Sequence, residues 1–285
     1  MSDRDYDALV IDLDGTLLDD QSRLPERSRK ALQAAAASGV RVLVATGRSS
    51  ISAHPILVEL GLAEPAIVFN GAALYCPRTR RMLEERTLSG RSLERTLAFA
   101  REQEHALVLM AAERKLATHP RDEAEASAMG LMTALEYCSH EELQLDWTIR
   151  VTLFSRRHAD SHALAADFEA AVDQPLYLTH FPLRALATHR ASPLQVLDVQ
   201  PPCRGKGEAL RVLEELYGIP AERVVAVGDA TNDIPMFEAA GLSVAMGNSM
   251  SEARAVAQRV IGTNESGAIA ELVEELFLGR RVSTS

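Results

Sequence analysis

Cysteine is scarce: Cys76, Cys138 and Cys203 are the only three in 285 residues. They are odd in number, far apart and form no CxxC pair, which argues against both a disulfide framework and a zinc site. Buried thiols are the expectation. No apolar run approaches the roughly 18 residues needed to span a bilayer, and Ser2-Asp3-Arg4-Asp5 precedes the first apolar stretch, so a cytoplasmic protein with no membrane association is expected. Positive charge is in deficit, with 30 Lys and Arg against 40 Asp and Glu and a formal net charge of -10. That balance argues against a surface built for nucleic acid or anionic lipid, and an anionic substrate would need a local attraction. There is no internal repeat and no low-complexity tract beyond the alanines at 34–37. What remains is an ordinary soluble composition, 47% hydrophobic and 25% charged, in a chain long enough for about two domains. No protein partner can be inferred.

The stretch that organises the rest is Val10-Ile11-Asp12-Leu13-Asp14-Gly15-Thr16. Residues 8–11 read as a buried strand that Gly15-Thr16 turns away from, leaving Asp12 and Asp14 at its C-terminal edge. In an open α/β sheet that edge is where ligand crevices form. Residues two apart on an extended chain share a face, so both carboxylates address one small volume. Like charges so close repel unless a cation stands beside them, and a hard divalent ion such as Mg2+ suits two carboxylates. An acidic turn capping the next helix is the plainer alternative.

The strand pattern repeats along the chain. A helix over residues 25–38 stops at Gly39, a strand over 40–45 ends in Thr46-Gly47-Arg48, a helix over 49–60 bends near Pro55, and a strand over 66–69 ends in Asn70-Gly71. This alternation predicts an α/β fold with a parallel sheet and right-handed crossovers. From about residue 83 the order changes to helix 91–104, strand 106–111, a helical or loop-rich stretch 121–137, strand 148–154 and helix 159–172. Residues 83–190 are therefore read as an inserted α+β domain whose sheet is covered on one side. Its segment 175–191 offers Tyr177, His180, Phe181, Arg184 and His189 as pocket or packing residues. The first pattern is expected to resume with a strand at 194–199. Lys206 then opens a helix to 217, a strand at 223–227 ends in Gly228-Asp229-Ala230-Thr231-Asn232-Asp233, and strands at 242–246 and 260–261 precede a last helix capped by Ser266. Residues 1–82 and 191–285 would form one core domain, with a loose tail from 279.

Taken in order, DLDGT at 12–16, TGR at 46–48, NG at 70–71, GKG at 205–207 and GDATND at 228–233 resemble the haloacid dehalogenase superfamily. NDIPMF at 232–237 and VAMGNS at 244–249 are similar to its Cof-type, subfamily IIB, sugar-phosphatase-like branch. The resemblance implies a Rossmann-like core with helices on both faces and an inserted α+β cap of the C2 type. It implies that Asp12 attacks phosphorus to form an aspartyl-phosphate, dividing one hard displacement into two. Asp14 would be the acid and base, which asks that it hold its proton more tightly than Asp12. Mg2+ would be held by Asp12, the main-chain carbonyl of Asp14 and Asp229, with Asp233 behind it. Thr46 and Lys206 would grip the phosphoryl oxygens, with Gly47, Arg48, Asn70 and Asn232 counted as further substrate contacts. Arg48 has the alternative of pairing with an acid, Asn70 of serving only a tight turn, and Thr16 of bracing its loop. Gly205 departs from the small hydroxyl or amide residue that often precedes the lysine.

The leading expectation is a Mg2+-dependent phosphatase acting on a small phosphorylated metabolite, with a sugar phosphate as one candidate. A phosphomutase or phosphotransferase would use the same aspartyl-phosphate, and a non-catalytic phosphate-binding protein would not need a carboxylate nucleophile. A dinucleotide-binding protein fits poorly, because the first strand leads to DLDGT and not to a glycine-rich phosphate loop.

Overall fold

The structure is a computed structural model that describes residues 4–130 and 132–279. In chain order the elements are β1 (Ala8–Ile11), α1 (Glu26–Ala37), β2 (Arg41–Val44), α2 (Ser50–Leu60), β3 (Ala66–Val68), β4 (Ala73–Cys76) and β5 (Arg81–Glu85). There follow α3 (Gly90–Glu102), β6 (Ala106–Met110), β7 (Lys115–Thr118), α4 (Glu123–Gly130), β8 (Leu135–Cys138), β9 (Arg150–Ser155), α5 (Ser161–Val172), β10 (Tyr177–Pro182) and β11 (Gln195–Gln200). The last set is α6 (Glu208–Tyr217), β12 (Val224–Gly228), α7 (Ile234–Ala239), β13 (Leu242–Ala245), α8 (Ser251–Val256), β14 (Arg259–Val260) and α9 (Ala268–Phe277). Two compact units result. Among the described residues, one holds 4–48, Ala53–Glu84 and 204–279, and the other holds Ser49–Ser52, 85–130 and 132–203.

In the first unit a parallel sheet runs β14-β13-β12-β1-β2. A bridge between Ala45 and Ile67 adds β3, and β4 and β5 continue from β3 as an antiparallel ribbon. The strands are short continuous apolar runs because both faces are covered; Leu9, Val10 and Ile11 of β1 are all fully buried, each worth about 1.5–3 kcal/mol. The β1-α1-β2 and β12-α7-β13 connections run outward in opposite directions from the β1–β12 pair. Ile11 lies beside Val227 in that pair, so the order of the sheet reverses there and a crevice opens at the strands' C-terminal ends. The helix α1 starts after Pro25 and ends where Gly39 adopts φ +93°.

The second unit is a six-stranded sheet, β10-β11-β9-β6-β7-β8, antiparallel except for β7 beside β8. Helices α3 and α5 cover one face through Phe99, Phe168, Leu107, Val151, Leu153 and Leu197. Alternation sends Met110, Arg150, Thr152 and Asp198 to the opposite face. There Arg150 pairs with Asp198 at 3.3 Å and the Thr152 hydroxyl donates to the same carboxylate at 2.5 Å.

Two expectations are corrected. The strand near 194–199 does not rejoin the parallel sheet: β11 lies antiparallel between β10 and β9, so residues 191–203 stay with the second unit. An apolar run announces a buried strand but not which sheet will bury it. Ser266 does not cap the last helix; its hydroxyl donates to the Thr263 carbonyl at 2.6 Å, and Gly267, at φ +76°, precedes α9 instead. Of the two readings of His180, the structure has packing: it lies on the helix-covered face, bonded to Ser161 at the start of α5 (3.1 Å). Strands β4, β5, β7 and β8 are short and weakly patterned, and the sequence does not announce them. The tail expected from residue 279 lies, from 280 on, outside the described residues. Among the described residues no helix is long and apolar enough to cross a membrane.

Candidate active site

The loops at the sheet reversal carry most of the residues singled out from sequence. Asp12 leaves β1 with its N–H bonded to the Val227 carbonyl (3.0 Å), and its carboxylate is buried. Lys206, 1% exposed, places Nζ 2.7 Å from Asp12 Oδ1 and 2.6 Å from Asp233 Oδ1. The second oxygen of Asp233 accepts from the main-chain N–H of Asp229 (2.8 Å) and Ala230 (2.9 Å), which ties the loop after β12 into a turn. Asp229 accepts from the Thr16 hydroxyl at 3.0 Å, so Thr16 braces this acid across the two loops. Ligand oxygens of Asp12, Asp229 and Asp233 all lie within 4.8 Å of one another.

The other predicted residues form a second ring. Thr46, fully buried at the end of β2, accepts from the Arg48 N–H at 3.1 Å. Gly47 stands against Asn70, and Asn70 accepts from Asn232 Nδ2 at 3.0 Å. Asp14 stands apart from the acid trio: Arg48 donates to both its oxygens, at 2.8 and 2.5 Å. Of the two readings of Arg48, the structure has the pairing with an acid.

Burial pushes Asp12 well above the usual carboxylate range, and the neighbouring acids add to it while Lys206 opposes. Burial, then Asp233, lift Asp229 to about 7, against Lys206 and the Thr16 hydroxyl. Burial also works against the Lys206 charge, but Asp12 and Asp233 outweigh it and hold the ammonium charged. The surroundings of Asp12, taken alone, thus drive it toward its acid form. Three carboxylates thus share one ammonium in a desolvated space.

That imbalance is the test of a metal. The donors are all hard carboxylate oxygens and their surplus is negative, the chemistry that suits Mg2+ and excludes a soft-metal site. The residues present fit such an ion.

A profile of the haloacid dehalogenase-like hydrolases matches residues 9–273. The chain belongs to this family. Among curated relatives it is 27% identical over 271 residues to the 5-amino-6-(5-phospho-D-ribitylamino)uracil phosphatase YitU of Bacillus subtilis, covering 94% of this chain and 97% of that one. It is 28% identical over 274 residues to the pyridoxal phosphate phosphatase YbhA of Escherichia coli, covering 93% and 96%. A solved subclass IIB sugar phosphatase of the same family shares the fold, with a TM-score of 0.77 at 20% identity over 94% of this chain and 98% of the other.

One site residue of this haloacid dehalogenase-like hydrolase escaped the sequence reading. Asn248 Nδ2 donates to the Gly15 carbonyl at 2.8 Å, and its Oδ1 accepts from the Asn264 N–H at 3.0 Å, holding the DLDGT turn from β13. The signal was present in the polar Gly247-Asn248-Ser249 at a strand end. Gly15, at φ +74°, faces Asp229 so closely that a Cβ would stand 2.4 Å from its carboxylate.

Proposed function

We propose that this protein is a Mg2+-dependent phosphatase that hydrolyses a small phosphorylated metabolite through an aspartyl-phosphate on Asp12. The observation that carries the reading is the buried Asp12–Lys206–Asp233 chain of ion pairs, with Asp229 beside it, at the reversal of the sheet. An Asp12 oxygen attacks phosphorus as the bond to the leaving oxygen breaks, and Asp14 gives that oxygen a proton. Water then attacks the phosphorylated Asp12, Asp14 takes the proton, and the P–O bond to Asp12 breaks to release phosphate. Asp14 must part from Arg48 to do this, which frees the guanidinium for the substrate. Lys206 supplies a point charge and the Thr46 hydroxyl an oriented hydrogen bond to the phosphoryl oxygens. Mg2+, held by Asp12, Asp229 and the Asp14 carbonyl, would neutralise charge on the phosphoryl group. Both oxygens of Asp233 are already engaged, so its part is to fix Lys206 and the Asp229 loop.

The second unit is, in this reading, a C2-type cap that selects the substrate. YitU and YbhA, similar to this chain to nearly the same degree, are named for unlike phosphate esters, so neither substrate transfers to it. Specificity on the cap is assigned to the face of its sheet opposite α3 and α5, where Lys115, Thr152, Arg150 and Asp198 supply polar groups.

The test is hydrolysis of p-nitrophenyl phosphate with Mg2+, with excess chelator, and by Asp12→Ala. Metal-dependent turnover that falls at least about 10^4-fold in the folded variant is expected. Comparable turnover by Asp12→Ala would remove the nucleophile assignment.

A further inference from the structure

The turn between β3 and β4 is made by Asn70 and Gly71, both at positive φ (+50° and +99°), and Asn70 is buried. Three loops of the site meet on these two residues. From the first, the Thr46 carbonyl accepts from the Asn70 N–H at 3.0 Å, and a Cβ on Gly47 would stand 2.8 Å from Asn70 Oδ1. From the second, Asn232 Nδ2 donates to that same oxygen at 3.0 Å. From the third, the Gly205 carbonyl oxygen lies 2.0 Å from where a Gly71 Cβ would sit. The residues next along the chain from Gly205 and Asn232 are Lys206 and Asp233, which form the 2.6 Å ion pair. Asn70-Gly71 therefore touches both loops that must hold this pair together.

We propose that Asn70 and Gly71 are positioning residues for Lys206 and Asp233, setting the spacing of the 205–207 and 231–233 loops. The proposal rests on the phosphatase reading and adds a role to it. It also accounts for Gly205: at φ +60° it meets Gly71 backbone to backbone, a contact a bulkier turn on either side would break. Because the obstacle to a Gly71 side chain is main chain, no rotamer change can relieve it, and the 205–207 loop has to move by about 1 Å. A displacement of that size at a catalytic group costs roughly 10^2-fold in rate.

Gly71→Ala is compared with Gly218→Ala, which also puts a side chain at positive φ (+65° after α6, against +99° at Gly71) but has nothing within 4 Å of its new methyl. On p-nitrophenyl phosphate, Gly71→Ala is expected to lose about 100-fold in kcat with KM held within about threefold, and Gly218→Ala to stay within about twofold in both. Amine labelling read by mass spectrometry gives an answer independent of turnover. Lys206 is buried and Lys30 and Lys115 are the only other lysines, so faster labelling of Lys206 in Gly71→Ala is assignable. An inert wild type would defeat the phosphatase reading while leaving the labelling test intact. A folded Gly71→Ala with unchanged kcat and unchanged Lys206 labelling overturns the proposal. Should Gly71→Ala not fold, Asn70→Ala, Asn232→Ala and their combination decide: a double variant no worse than the poorer single supports the shared role, and independent multiplication of the losses overturns it.

Discussion

Truncating Lys206 to alanine leaves Asp12 and Asp233 buried without their shared counter-ion. Removing one partner of such a buried pair costs about 3–5 kcal/mol, and denaturant unfolding of Lys206→Ala in chelator should show a loss of that order, reduced by added Mg2+. A Lys206→Ala protein as stable as wild type without metal would mean the acids are not held as described. The acids carry a pH dependence of their own. Asp229 has its folded-state pKa raised, from an ordinary value of 3.8 to about 7, so between those limits the folded chain binds more protons than the unfolded one. Its contribution to stability therefore falls as pH rises through that window, and Asp12 works in the same direction. Melting temperatures in chelator and in Mg2+ should diverge as the pH climbs from about 4 to about 7, because the ion binds the carboxylate form. Curves that stay parallel would contradict the assignment of Asp229 to the metal.

At the scale of the element, the loops are shaped by what their flanking strands lack. β12 ends in Gly228, and a Cβ there would stand 2.3 Å from the Asp233 carboxyl carbon. Only a bare α-carbon lets that carboxylate reach back to the N–H groups of Asp229 and Ala230. Gly228→Ala should destabilise by about 1–3 kcal/mol through overpacking and lower turnover with it. Gly90→Ala, at the open start of α3, should be neutral or slightly stabilising, and thermal melts of the two variants separate crowding from loss of glycine as such. The same crowding logic was invisible in the sequence, where Gly228 reads only as the start of a turn. What was visible were the strands whose apolar runs end in polar residues, since that contrast is local.

For the whole molecule, chemistry and selection are assigned to different units of the chain. Lys115→Gln on the cap sheet should therefore leave hydrolysis of p-nitrophenyl phosphate within about threefold while changing relative kcat/KM across a metabolite panel by tenfold or more. Burial, then Arg150, lower the Lys115 pKa to about 8, so its charge, and any preference for anionic leaving groups, should weaken as pH rises through that value. An unchanged panel would move specificity off this face.

The sequence by itself determined the strand ends of the core, the acids and the lysine that sit on them, and the family they resemble, because an apolar run closing on DLDGT or GDATND is a pattern of neighbours in the chain. It also showed that an α+β segment is inserted. Only the tertiary structure decided that β11 pairs within the inserted sheet, that Arg48 holds Asp14, that Asn248 reaches back to Gly15, and that Gly71 meets Gly205. Each of these is a contact between residues far apart in the chain. Side-chain period and turn chemistry report which face a residue shows, whereas the partner on that face is set by how the strands are ordered.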